Sequence, residues 1–108
     1  MSFRVEPTER FKRQTKQLLK KYVSLKKELS ELVSALEENP KQGTALGHEC
    51  FKIRLAIASK GKGKSGGARV VTHVYISGKT VYLLAIYDKS EQDSISDNEL
   101  LDLVKNIK

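Results

Sequence analysis

A single cysteine, Cys50, stands among 108 residues, so no internal disulfide can form, and no Cys/His cluster has the spacing of a zinc site. No run approaches the ~18 apolar residues of a membrane span. The opening MSFRVEPTER lacks the apolar core of a secretion signal. A soluble protein of the reducing cytoplasm is expected, with no metal, no cofactor and no membrane. The most informative absence is of negative charge: residues 50–79 hold seven Lys/Arg and no carboxylate. The chain carries 20 Lys/Arg against 13 Asp/Glu, a net charge of +7, but unevenly. Residues 1–27 have nine basic and two acidic side chains, residues 28–49 one and five, and residues 80–108 three and six. An acid-free stretch of that length is the electrostatic footprint of a surface that meets a polyanion, although a basic surface also serves solubility.

The length suits one domain spanning residues 1–108. After an extended start at Phe3 to Val5, Pro7 sits where a helix can begin, with Glu6 and Glu9 near its positive end. Phe11, Leu18, Leu19 and Tyr22 form one apolar stripe. Ser24 can cap a second helix, in which Leu25, Leu29, Leu32, Val33 and Leu36 repeat the stripe until Asn39-Pro40 stops it. The pair predicts an antiparallel helical hairpin with one apolar face. From Cys50 the period changes to two. In CFKIRLAIA, Phe51, Ile53, Leu55 and Ile57 alternate with Lys52, Arg54, Ala56 and Ala58. ARVVTHVYI is a second such strand, and TVYLLAIY, apolar on both faces, a third. Ser96 and Glu99 form a capping box that opens a helix through Leu103, Val104 and Ile107. The order predicts an α+β fold: a helical hairpin on a mostly antiparallel sheet of about four strands, closed by a C-terminal helix.

Between the first two hairpin strands, Ala58-Ser-Lys-Gly-Lys-Gly-Lys64-Ser65 matches a relaxed phosphate-loop pattern. A true phosphate loop needs a helix after it, whose free N–H groups hold the phosphates, and here a strand follows. As a glycine-spaced connection carrying Lys60, Lys62 and Lys64, it is better suited to gripping a nucleic-acid backbone through counterion release. A solvated loop is the plain alternative. More specific is a convergence of cations. Lys52 and Arg54 point away from the helices on one strand, Arg69 opens the next, and Tyr87 and Lys89 end the third on a shared parity. Four cations and a phenol are thus expected on one open face, although lysines on surface strands also discourage edge pairing.

The run FKIRL, then GGARV, then VYLLAIYDKSE, resembles the RelE/ParE toxin superfamily, especially its HigB-like members. The likeness extends from the helical hairpin through NPKQG…LG to the closing IS..EL helix. The resemblance implies a cytoplasmic bacterial toxin that cuts mRNA, usually in the A site of the small ribosomal subunit, and is neutralised by a co-expressed antitoxin. It also implies site residues. Lys52 and Arg54 match the family's two basic residues on the second strand, Arg69 the arginine opening the third, and Lys89 a cation after the fourth. Where the RelE subgroup has a tyrosine beyond that cation, this chain has Ile95. Tyr87-Asp88 matches the acidic-aromatic pair of HigB-like members.

Such a site needs no metal, because RNA carries its own nucleophile, the 2′-hydroxyl. A base, an acid and charge stabilisation suffice. Arg54 and Arg69 are assigned to the phosphate clamp. The general base stays open among Lys52, Tyr87 and Glu91. His73 is read as making a structural hydrogen bond, and His48 as lying in a turn. Two other functions use the same composition: a ParE-like inhibitor of gyrase, which would not require the Lys52/Arg54/Arg69 cluster, and a plain RNA- or DNA-binding module.

Overall fold

A computed structural model describes residues 2–60, 66–92 and 94–107. In chain order the elements are β1 (Arg4–Pro7), α1 (Glu9–Leu19), α2 (Leu25–Glu38), β2 (Thr44–Gly47), β3 (Cys50–Leu55), β4 (Ala68–Tyr75), β5 (Thr80–Asp88) and α3 (Asp97–Lys105), with one 3-10 turn at Ala58–Lys60. The sheet has five strands in the order β1-β5-β4-β3-β2. β1 runs parallel to β5, and every other neighbouring pair is antiparallel. The α+β class read from the sequence holds, with one more strand than expected.

The extra strand is β2, which pairs with β3 through a two-residue turn at His48 and Glu49. Both turn residues have positive φ, 56° and 59°. That conformation suits a two-residue hairpin but normally calls for Asn or Gly, so the turn carries no sequence signal. Pro7 also falls one element earlier than the helix start suggested. It ends β1 opposite Leu83, and Thr8 caps α1, its hydroxyl accepting from the Phe11 N–H at 3.3 Å. The same hydroxyl donates to the Leu83 carbonyl at 2.9 Å, so the cap also ties α1 to β5.

α1 and α2 bury Phe11, Leu18, Leu25, Leu32 and Leu36 against one face of the sheet, where they meet Ile53, Val70, Val74, Val81, Leu83 and Ile86. This is the face that the period-two pattern assigned to the helices. Leu25 and Leu36 are fully buried. Each such side chain contributes roughly 1.5–3 kcal/mol by leaving water, and truncating Leu36 to Ala would cost about 2–5 kcal/mol. Leu19, counted in the helical stripe, is exposed instead. α3 packs on the opposite face, where Leu100 and Leu103 meet Cys50, Val71, Leu84, Ala85 and Tyr87. A bulge makes that second core possible. The β4–β5 register passes from Val71↔Ala85 to Thr72↔Leu83 and skips Leu84, so consecutive residues Leu84 and Ala85 both reach the α3 side.

Only half of the expected capping box forms at α3. The Ser96 hydroxyl accepts from the Glu99 N–H at 3.2 Å, but the Glu99 carboxylate reaches across to Arg10 at 2.7 Å. Glu99 thereby ties α3 to α1.

Candidate RNA-cleavage site

The site is built by strand register. Arg54 on β3 lies directly opposite Arg69 on β4, and Arg69 lies directly opposite Tyr87 on β5. Directly paired residues share a face, with Cβ atoms about 5 Å apart. The three side chains therefore form a row across three strands on the side away from α1 and α2. One step along β3, Lys52 stands in the next row on the same face, opposite Val71 and Ala85. Two residues along a strand span about 6.6 Å, so Lys52 lies within a side chain's reach of Arg54.

The face is not open, contrary to the expectation from the strand pattern. α3 and the segment before it roof the β5 side, with Ile95, Leu100 and Leu103 packed beside Tyr87. Only the β3 end of the row is open: Arg54 is exposed, whereas Arg69 is 4% and Tyr87 7% exposed. Lys52 and Lys89 are half-buried. The Arg69 Nη1 donates to the Ala68 carbonyl at 3.1 Å, which holds the guanidinium close to its own strand. Of the two guanidinium groups, that of Arg54 is the one open to solvent.

Lys89 follows the end of β5, and its backbone N–H donates to the Gly67 carbonyl at 3.0 Å. Gly67 has to be glycine, because a Cβ there would lie 2.0 Å from the Leu55 carbonyl oxygen. This close approach draws the ends of β3, β4 and β5 together at the site. The lysine-rich connection starts here too. Of Lys60, the backbone closes the 3-10 turn, while Lys62 and Lys64 lie outside the described residues. The root of the connection is fixed. The Glu28 carboxylate accepts from the Ala58 N–H at 2.6 Å, and the Ser24 hydroxyl accepts from the Ser59 N–H at 2.9 Å. Ser24 therefore serves the connection, and it makes no side-chain cap on α2. Nothing in the local pattern marks Ser24 and Glu28 for this partnership, since their partners lie 35 and 30 residues away.

Tyr87 and Asp88 lie on opposite faces of the sheet. Alternation along β5 sends Asp88 to the opposite face, where its Oδ2 accepts from the Tyr22 hydroxyl at 2.6 Å. Its Oδ1 accepts from Ser90 N–H at 2.9 Å and Ser90 Oγ at 2.7 Å. The bond to Asp88, reinforced by burial, pushes the Tyr22 phenol up to about 12. Glu91 sits outside the row and pairs with Lys21 at 3.5 Å. His73 lies 3.5 Å from the Cys50 thiol through Nδ1, which agrees with a structural role. Burial, with Glu49 adding to it, pushes the Cys50 thiol up to about 11, so the thiol stays protonated near neutrality. His48 occupies the β2–β3 turn. A cleft of about 690 Å³ lies elsewhere, lined by Arg4, Arg10, Arg13, Tyr82, Leu103 and Asn106, and it contains none of the row.

Chemically, the row combines two guanidinium groups, a phenol and flanking lysines with no carboxylate on the same patch of β3 and β4. That arrangement can hold a phosphodiester and stabilise extra charge on its oxygens.

Comparison with known proteins agrees with this architecture. The structure resembles a double mutant of the E. coli toxin RelE in the free state, at 20% identity and a TM-score of 0.64, with all of both chains covered. It also resembles the same RelE mutant bound to an antitoxin RelBc peptide, at 18% identity and a TM-score of 0.63, again over all of both chains. The intact E. coli RelBE toxin–antitoxin complex matches at 20% identity and a TM-score of 0.60, covering 81% of this chain and 96% of that one. At these identities the likeness speaks for the fold. The family follows from the sequence: the model for the RelE toxin of the RelE/RelB toxin–antitoxin system matches residues 4–107. The chain belongs to the RelE family of toxins.

Proposed function

We propose that this chain is a metal-independent endoribonuclease that cleaves mRNA on the ribosome, in the A site of the small subunit, and that a cognate antitoxin neutralises it in the cytoplasm. Residues 1–108 act as one RelE-like toxin domain in this reading. The observation that carries it is the in-register row Arg54–Arg69–Tyr87, with Lys52 beside it. Family membership supports the toxin role, and the relatives solved with RelB support an antitoxin partner.

In the proposed reaction the 2′-hydroxyl attacks the adjacent phosphorus and the 5′-oxygen of the next nucleotide leaves. Arg54 receives the scissile phosphate and Arg69, its partner across the strands, stabilises the charge that builds on the equatorial oxygens. In this reading Lys52 and Lys89 exchange protons with the attacking and leaving oxygens. Tyr87, packed under α3, closes the row on its buried side and backs the two guanidinium groups. Lys60, Lys62 and Lys64 hold the RNA backbone without reading its sequence. Induced expression, followed by mapping of new 5′ ends on transcripts, tests the proposal. Wild type should arrest growth and generate clustered cuts in translated regions, whereas a folded Arg69→Ala variant should do neither. Growth arrest without new transcript ends would contradict the nuclease reading.

A further inference from the structure

Asp88 is 1% exposed at the end of β5, between two candidate site residues, Tyr87 and Lys89. Its side chain lies on the helical face of the sheet and accepts from the Tyr22 hydroxyl on one oxygen and from Ser90 on the other. Its backbone carbonyl accepts from Glu91 N–H at 3.0 Å and Gln92 N–H at 3.1 Å. One residue thus organises the turn that follows the strand and joins it to the chain just beyond α1. Tyr87, the neighbour of Asp88 in the strand, points the other way, so a tie on one face fixes the backbone beneath the other and sets where the chain leaves the strand at Lys89.

The docking of α1 does not need this tie. Thr8 donates to the Leu83 carbonyl, Gln14 Oε1 accepts from the Ile86 N–H at 3.0 Å, and Phe11 and Leu18 pack into the core. A carboxylate sequestered from water is a costly anchor for a helix already held in these ways. What the Tyr22–Asp88 contact adds is placement at the very end of β5, where Tyr87 and Lys89 sit.

We propose that Tyr22 is a positioning residue for RNA cleavage, acting through Asp88 to hold Tyr87 and Lys89 in place beside the Arg54–Arg69 pair. This inference rests on the cleavage reading above. The hydroxyl of Tyr22 touches no substrate and transfers no proton. Its removal lets the end of β5 shift, and misplacement of reacting groups by about 1 Å can slow a reaction on the order of a hundredfold.

The test is Tyr22→Phe, which keeps the ring in the core and removes only the hydroxyl. Cleavage of mRNA on programmed ribosomes is measured under single-turnover conditions across toxin concentrations, with circular dichroism and thermal melting as controls. The saturating rate is expected to fall about tenfold or more, while the half-saturating concentration changes less than about twofold. A double-mutant cycle separates positioning from general loosening. Against a Lys89→Ala background, the Tyr22→Phe loss should shrink markedly, because the group it positions is already gone. A saturating rate within about twofold of wild type, or a loss equal in both backgrounds, would overturn the positioning role while leaving the cleavage reading intact. Failure of the wild type itself to cleave would overturn both.

Discussion

Arg54 and Arg69 face each other as direct partners in an antiparallel ladder, one exposed to solvent and the other 4% exposed. Two like charges in such a pairing repel and destabilise the sheet by a fraction of a kcal/mol. The pair fits a place where an anion binds between the guanidinium groups.

Replacing either arginine should therefore abolish cleavage without unfolding the protein. Loss of one preorganised donor to a developing oxyanion typically costs about 10²–10³ in rate. Arg54→Ala, at an exposed position, should leave stability within about 0.5 kcal/mol of wild type. Arg69→Met keeps the buried volume but gives up the bond to the Ala68 carbonyl, so it should be inactive while still folding cooperatively. Cleavage assays paired with urea titrations check both. An Arg69→Met protein that still cleaves at the wild-type rate would remove Arg69 from the clamp.

The Thr72 hydroxyl is fully buried and has no hydrogen-bond partner among the described residues. An unmet buried polar group costs about 1–3 kcal/mol. Thr72→Val is nearly isosteric and should raise stability by about 1 kcal/mol, which for a domain of this size means a melting temperature higher by roughly 4–8 °C. Differential scanning calorimetry reads this directly, and an unchanged or lower melting temperature would mean that the hydroxyl is satisfied in solution.

Stability should decline on the alkaline side in two separable steps. Tyr22 is raised from 10.0 to about 12 and Cys50 from 9.0 to about 11, so both favour their neutral forms in the fold. The stability they contribute is complete below their unfolded values and is lost as pH rises through the folded ones. Urea midpoints of Tyr22→Phe should accordingly fall less steeply than wild type between pH 10 and 12, and those of Cys50→Ala less steeply between pH 9 and 11. Curves parallel to wild type would show that the two groups ionise alike in both states.

Much of this architecture is legible in the sequence because it rests on local patterns. The stripes of Phe11–Leu18 and Leu25–Leu36 give the helical hairpin, and the alternation of Phe51, Ile53 and Leu55 against Lys52 and Arg54 gives the face of the clamp. Shared parity alone assembles Arg54, Arg69 and Tyr87. What escapes is set by distant partners or by backbone detail. β2 is four mostly exposed residues joined by a His48-Glu49 turn without Asn or Gly. The roof over Tyr87 follows from the docking of α3, and that docking depends on the bulge at Leu84, which no periodicity announces. Tyr22 reads as one more apolar stripe position. Its hydroxyl gains meaning only when the fold brings Asp88 to it.

The lysines of the 58–65 connection should act broadly and without sequence preference. Replacing Lys60, Lys62 and Lys64 with Gln should weaken RNA or ribosome binding and reduce the log–log salt slope by up to about three units, since each phosphate contact contributes roughly 0.7–0.9. Cleavage positions should stay the same. An unchanged slope would make the segment a connector only.

The chemistry of the cut ends tests the central claim most directly. Purified wild-type protein, presented with mRNA on programmed ribosomes in magnesium sufficient for their integrity, should leave 5′ fragments ending in a 2′,3′-cyclic phosphate or a 3′-phosphate. Those ends arise when the RNA's own 2′-hydroxyl attacks and the Arg54–Arg69 pair receives the charge. Fragments ending in a free 3′-hydroxyl would point instead to attack by metal-activated water and would contradict the mechanism.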